Sequence, residues 1–195
     1  MEQDSTIMAR IVIVYFSGYG HTKKLAEAVA AGASAGQVSV IAIDQDGHIS
    51  DADWAALDAA DAIVYGSPTY MGGPAWQFKK FADASSKRWF TSAWKDKIGA
   101  GFTNSATVNG DKAQTITAFV TLAMQHGQIW VGTGLMPANS KANGPDDVNW
   151  TGGSTGLLAI SPSDASAEEA PRKGDLETAK LFGARIVEVT KKLRG

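Results

Sequence analysis

The chain has no cysteine, which excludes disulfides, thiolate nucleophiles, iron–sulfur ligation and cysteine-based zinc sites together. It also lacks an excess of positive charge. The 18 Lys and Arg stand against 20 Asp and Glu, a formal net charge of −2, so no basic field exists to hold nucleic acid or an anionic membrane. No apolar run approaches the roughly 18 residues of a membrane span. The opening stretch MEQDSTIMAR is acidic and polar, where an export signal begins basic and then turns apolar. Neither nucleic acid nor membrane insertion is expected, and the setting reads as cytoplasmic. Histidine is scarce too. His21, His48 and His126 are scattered, without HExxH or paired-carboxylate spacing, so no metal site is expected.

What is there is alternation. The 195 residues fit one ordinary domain, 1–195. Apolar runs bounded by turn residues recur at 10–17 (RIVIVYFS), 37–44 (QVSVIAID), 61–68 (DAIVYGSP), 97–105 (KIGAGFTNS) and 127–134 (GQIWVGTG), with a shorter candidate at 155–161 (TGLLAIS). These read as strands. Helical spacing follows the first at Leu25, Ala26, Val29, Ala30 and Ala33, and the third at Trp76, Phe78, Phe81 and Ala82. It returns at Ile116, Phe119, Val120, Ala123 and Met124, and near the carboxyl end from Leu176 through Ala179, Gly183, Ile186, Val187 and Thr190 to Leu193. Parallel strands need long crossovers, and near-continuous apolar strands need cover on both faces, so the fold class is α/β with a parallel sheet between helix layers. The stretch 136–153, rich in Pro, Gly, Asn and Asp, is expected near the site or at a subunit contact.

In such a sheet, ligands gather beyond the carboxyl ends of the strands. After the first strand comes Ser17-Gly18-Tyr19-Gly20-His21-Thr22, opening directly into a helix. Hydroxyls at Ser17 and Thr22 flank two glycines whose amides can close around an anion, and the helix start adds its positive end. It is neither GxGxxG nor GxxxxGK[ST], and by itself it fits a plain strand-to-helix turn capped near Thr22 equally well. After the third strand stands Gly66-Ser67-Pro68-Thr69-Tyr70-Met71-Gly72-Gly73-Pro74, where a planar ligand could lie against Tyr70 and Met71. After the fourth stands Thr103-Asn104-Ser105-Ala106-Thr107-Val108-Asn109-Gly110. The three loops are expected to share one rim.

The stretches YFSGYGHTKKLAEAV, YGSPTYMGGPAWQFKKF, FTNSATVNGDKAQTITAFVTLAMQHG, the late GGSTG and the closing helix resemble, in that order, the WrbA-like NAD(P)H:quinone oxidoreductases of the flavodoxin superfamily. The resemblance spans roughly Ala9 to Leu193. It implies a flavodoxin-like, doubly wound five-stranded parallel sheet in the order 2-1-3-4-5, noncovalent FMN, NADH or NADPH as co-substrate, and a homotetramer whose subunits meet around the flavin sites. By the same resemblance, Ser17, Gly18, Tyr19, Gly20, His21 and Thr22 would hold the FMN phosphate. Pro68, Thr69, Tyr70, Met71 and Gly72 would edge the isoalloxazine, joined by Ser105, Ala106, Thr107, Val108, Asn109 and Gly110. Tyr19 also matches a nicotinamide contact, His126 a histidine that approaches the flavin across subunits, and Phe90 an aromatic wall of the quinone pocket. The family often has a basic residue where this chain has Tyr70, and more glycine in the third loop.

The activity so implied is a ping-pong transfer: hydride from a reduced nicotinamide to FMN, then two electrons to a quinone. His126 and Tyr19 are the candidate hydrogen-bonding residues. His126 equally suits a helix C-terminus, where a cation meets orphan carbonyls. Two rival readings are a one-electron carrier of the flavodoxin type, which would usually be strongly acidic, and a scaffold protein that has lost its flavin. Lys23 and Lys24 are expected to face solvent.

Overall fold

The structure, a computed structural model, describes residues 8–194, so most of the opening stretch read above for an export signal lies outside the described residues. The chain runs β1 (Arg10–Tyr15), α1 (His21–Gly32), β2 (Gln37–Ala42), α2 (Asp51–Ala59), β3 (Ala62–Tyr70), β4 (Gly73–Pro74), α3 (Trp76–Ala84), α4 (Ser86–Phe90), β5 (Ile98–Ser105), α5 (Lys112–Gln125), β6 (Ile129–Trp130), β7 (Leu157–Ile160) and α6 (Lys173–Arg194). Strands β2, β1, β3 and β5 lie side by side in that order and in parallel. The fifth lane is split. β6 pairs with the start of β5, Ile98 opposite Ile129, and β7 pairs with its end, Phe102 opposite Leu157. The two apolar runs read as separate strands thus fill one position, and the expected order of five lanes holds.

Strands β3 and β5 are buried almost throughout, as apolar runs covered on both faces must be. Alternate residues of β1 divide between the two faces. Ile11, Ile13 and Tyr15 pack with Leu25 and Val29 of α1 and Phe182 and Ile186 of α6. Val12, Val14 and Phe16 pack with Leu57 of α2, Phe78 and Phe81 of α3 and Phe119 of α5. Each fully buried side chain of this size contributes about 1.5–3 kcal/mol, which holds the helices on the sheet. β2, at the edge, buries only Ile41.

Two features differ from the sequence expectations. Helix α2 had no apolar period to announce it, since it buries only Leu57. Its signal was a capping box: Ser50 Oγ accepts from the Asp53 amide at 3.2 Å, and the Asp53 carboxylate accepts from the Ser50 amide at 3.0 Å. Strand β3 runs past Pro68 to Tyr70 because it folds back on β4, with Thr69 opposite Pro74 and Tyr70 opposite Gly73. The two-residue turn puts Met71 at φ 47° and Gly72 at φ 80°, the positive pair that tight hairpins require.

Met71 is fully exposed at the tip of that turn and sits in left-handed backbone that costs a side chain with Cβ about 1 kcal/mol. Replacing it with Asn, which tolerates that region, is expected to raise stability by about 0.5 kcal/mol. A urea midpoint that rises with an unchanged slope would show it; an unchanged or lower midpoint would refute it.

Candidate functional site

The three loops do converge. They open a cavity of about 440 Å³ at the carboxyl ends of β1, β3 and β5, closed on the remaining side by the segment that follows β7. Its walls come from Tyr19, His21 and Thr22 of the first loop, Pro68, Thr69 and Tyr70 of the second, Asn104, Ser105 and Ala106 of the third, and Ser161, Ser163 and Ala165.

The first loop is built by Ser17. Its Oγ accepts from the amides of Gly20 at 3.1 Å and Lys23 at 3.2 Å, which satisfies an orphan amide in the first turn of α1, and its hydroxyl hydrogen has no acceptor among the described residues. Gly20 turns the chain at φ 92°, where a Cβ would also crowd Ala167. The amides of His21 and Thr22, first in the helix, have no acceptor among the described residues and can meet an anion. The Thr22 hydroxyl differs from expectation: it donates to Asn104 Oδ1 at 2.7 Å, so its hydrogen joins the first loop to the third. His21 Nε2 lies 2.9 Å from the Ala165 carbonyl, which can only accept, so the proton sits on Nε2. Lys24 pairs with Glu168 at 2.8 Å instead of facing solvent freely. His21 and Lys24 together fasten the segment after β7 to the first loop.

The second loop is anchored from below by hydroxyls. Thr69 Oγ1 lies 2.8 Å from both Thr103 Oγ1 and Thr115 Oγ1, and Ser67 Oγ accepts from the Ala75 amide at 2.9 Å. Tyr70 meets Tyr19 edge to face, with ring centroids 6.4 Å apart. Burial, and secondarily the neighbouring Tyr19, holds the Tyr70 phenol above its ordinary pKa. The Tyr70 ring therefore stays neutral at the mouth, beside Tyr19, which is 79% exposed. Met71 and Gly72 form the outer tip.

Beneath the third loop lies a residue the sequence reading missed. Lys112, 1% exposed, donates from Nζ to Ser105 Oγ at 2.8 Å, the Thr107 carbonyl at 2.7 Å and the Val108 carbonyl at 2.9 Å. Burial pushes its pKa down to about 8, with Asp175 acting in the opposite direction. Burial pushes Asp175 up to about 6, offset by the Ile160 amide at 2.9 Å and by Lys112. The signal was present: a lysine opening a helix sits at the wrong end of the macrodipole and needs another reason to be there. Ser161 was also missed. The residue lines the cavity, and its buried hydroxyl has no partner among the described residues. Thr107, Val108, Asn109 and Gly110 rise from the third loop toward solvent.

His126 and Phe90 are not brought to this cavity. His126 precedes β6, which pairs with the start of β5, so it lies at the amino ends of the strands, in a cleft with Trp89, Phe90 and Met124. Ser85 Oγ donates to the Ala82 carbonyl, so it accepts from His126 Nε2 at 2.8 Å, while Nδ1 is buried without a partner among the described residues. Burial lowers the His126 pKa, and the ring lies tilted against Trp94 with centroids 4.4 Å apart; a neutral, packed imidazole follows. The stretch 136–153 also contributes nothing to the cavity walls. It docks on α6, where the Asn149 amide donates to Thr178 Oγ1 at 2.8 Å.

Residues 12–128 match the flavodoxin domain family. The chain belongs to the flavodoxin family. Among its relatives, Flavodoxin FldP of Pseudomonas aeruginosa (strain UCBPP-PA14) is 53% identical over 95% of this chain and 99% of its own length. An NAD(P)H dehydrogenase (quinone) of Rhizobium rhizogenes is 34% identical over 95% and 99%. The crystal structure of the flavodoxin, WrbA-like protein from Agrobacterium tumefaciens superposes with a TM-score of 0.77 at 49% identity, covering 94% of this chain and 98% of that one. Membership in the flavodoxin family implies a flavin, and the cavity fits one. It combines anion-ready amides and a free hydroxyl at a helix start, aromatic rings at the mouth, an unpartnered buried hydroxyl, and a volume in the range of small-molecule sites.

Proposed function

We propose that this flavodoxin-family protein binds FMN and acts as an NAD(P)H:quinone oxidoreductase. One observation carries the choice of small-molecule substrates: the cavity walls hold aromatic, hydroxyl and amide groups and no Asp, Glu, Lys or Arg. A neutral aromatic rim suits a flat neutral quinone better than a protein partner steered by charge. When bound, FMN supplies hydride acceptance at N5 and onward delivery of one or two electrons.

The protein's part is binding and orientation. Ser17 Oγ–H and the amides of His21 and Thr22 would donate to the phosphate, with the positive end of α1 behind them. The Ser161 hydroxyl would donate to a polar atom of the flavin. Tyr70, Met71 and the third loop would edge the ring, and exposed Tyr19 would stack with or donate to the incoming nicotinamide or quinone. His126, Phe90 and Trp89 enter this reading only through a second copy of the chain, in the homotetramer we include in the proposal. The exposure of Phe90, at 78%, beside Trp89 and Met124 supports a partner there.

The test is an anaerobic visible-absorption titration of the FMN-reconstituted protein with NADH or NADPH, followed by a soluble benzoquinone. One equivalent of nicotinamide is expected to bleach the flavin band, and quinone to restore it. A second reading, a one-electron carrier, is favoured by the 53% relative named a flavodoxin. FMN binding without bleaching by either nicotinamide would overturn the oxidoreductase reading in its favour.

A further inference from the structure

We propose that Lys112 is the positioning residue of the third loop: its ammonium orders residues 105–110 from below, and FMN affinity follows its protonation. This rests on the FMN reading above, in which that loop edges the flavin ring.

All three Nζ hydrogens are committed, and all three acceptors belong to the loop. The loop is otherwise held by the Ser105 hydroxyl, which donates to the Thr107 carbonyl at 3.1 Å, and by the Lys112 amide, which donates to the Asn109 carbonyl at 3.2 Å. Residues 106–109 are exposed and outside any strand or helix, and the chain leaves them through two left-handed residues, Gly110 at φ 50° and Asp111 at φ 51°. Deprotonation would leave two hydrogens for the Thr107 and Val108 carbonyls and a lone pair facing Ser105 Oγ, whose hydroxyl can donate to it only by giving up its 3.1 Å bond to the Thr107 carbonyl, so the loop loses one hydrogen bond and the charge that strengthens the others. Helix stability offers no alternative account, because a cation in the first turn opposes the macrodipole.

The groups around the amine set the direction of the effect. From α6, the charge of Asp175 acts on it, and Arg172 and Asp146 act on Asp175 in turn; the loop contributes only neutral oxygens. Burial brings Lys112 down to about 8, so the ammonium is present at neutral pH and lost on mild alkalinisation. Flavin affinity therefore falls as pH rises. The FMN phosphate, with its second pKa near 6, stays doubly charged throughout that interval.

The test uses the full-length chain. FMN dissociation constants are measured by fluorescence quenching from pH 7 to 9, and hydrogen exchange of residues 105–111 is followed in the flavin-free chain at pH 7. The wild-type constant is expected to rise about fivefold across the range, because an affinity about tenfold lower for the neutral amine moves the Lys112 pKa about one unit up in the bound form. Lys112→Met is expected to bind about tenfold more weakly at pH 7, show no pH dependence, and exchange its loop amides at least about tenfold faster. Asp175→Asn keeps an acceptor for the Ile160 amide but removes the charge, so the rise begins at lower pH; a purely structural role would not move it. A pH-independent wild-type constant, or Lys112→Met with unchanged affinity or loop exchange, overturns the proposal while leaving the FMN reading intact. A wild-type chain that binds no FMN at any pH overturns both.

Discussion

Gly183→Val is expected to destabilise the protein by about 3 kcal/mol or more, enough to remove a large share of an ordinary domain's stability. Helices α1 and α6 lie against each other backbone to backbone. A Cβ on Gly183 would penetrate the Val29 carbonyl oxygen, and a Cβ on Gly32 would penetrate the Lys180 carbonyl oxygen. Neither obstacle is the end of a side chain that can swing away, so the helices must separate. Separation would loosen Leu25, Val29, Phe182 and Ile186, which form the core on that face of the sheet. Valine's higher helix propensity than glycine's recovers only a few tenths of a kcal/mol. Gly144, with nothing within 4 Å of its would-be Cβ, supplies the control: Gly144→Ala is expected to stay within about 0.5 kcal/mol of wild type. Urea unfolding of the two variants decides the matter. If their midpoints fall together, the close approach of the two helices is not what the glycines serve.

Ser17→Ala is expected to weaken FMN binding about a hundredfold, while Thr22→Val weakens it about tenfold or less. The two hydroxyls looked equivalent in sequence, flanking the same glycines. Ser17 accepts from Gly20 and Lys23 and keeps its hydrogen for the ligand. A hydrogen bond to a charged group contributes about 1.5–3 kcal/mol, which gives the larger loss; the lost amide contacts of Ser17 lower the stability of free and bound protein alike. Thr22 has already given its hydrogen to Asn104, so valine removes a tie between loops and leaves the amide in place. Fluorescence quenching of FMN compares them directly. Equal losses for the two variants would mean that Ser17 makes no direct contact with the phosphate.

The legible parts of this molecule were those dictated by local chemistry. Runs such as Ile11–Tyr15 and Ala62–Tyr65 are apolar without alternation, which admits only strands covered on both sides. The Gly18 and Gly20 turn before α1 is a local backbone requirement, and so is the polar, small-residue makeup of all three loops. Helix α2 was missed because its apolar face is small, though Ser50 and Asp53 marked its start. The splitting of the last lane into β6 and β7 was not legible, since two runs separated by residues 131–156 give no sign that they continue one edge.

The sequence by itself determined an α/β chain with parallel strands, an anion-ready loop at the first helix and uncharged residues in the loops that follow the strands, because periodicity, turn chemistry and charge are properties of neighbouring residues. Only the tertiary structure decided which groups are free to act. It committed Thr22 to Asn104 and His21 to Ala165, buried the unpartnered Ser161 hydroxyl in the cavity wall, put Lys112 under the third loop, and set His126 and Phe90 in a separate cleft at the amino ends of the strands. Those assignments depend on contacts between residues up to 144 positions apart, such as His21 with Ala165, and on burial, neither of which any local pattern encodes.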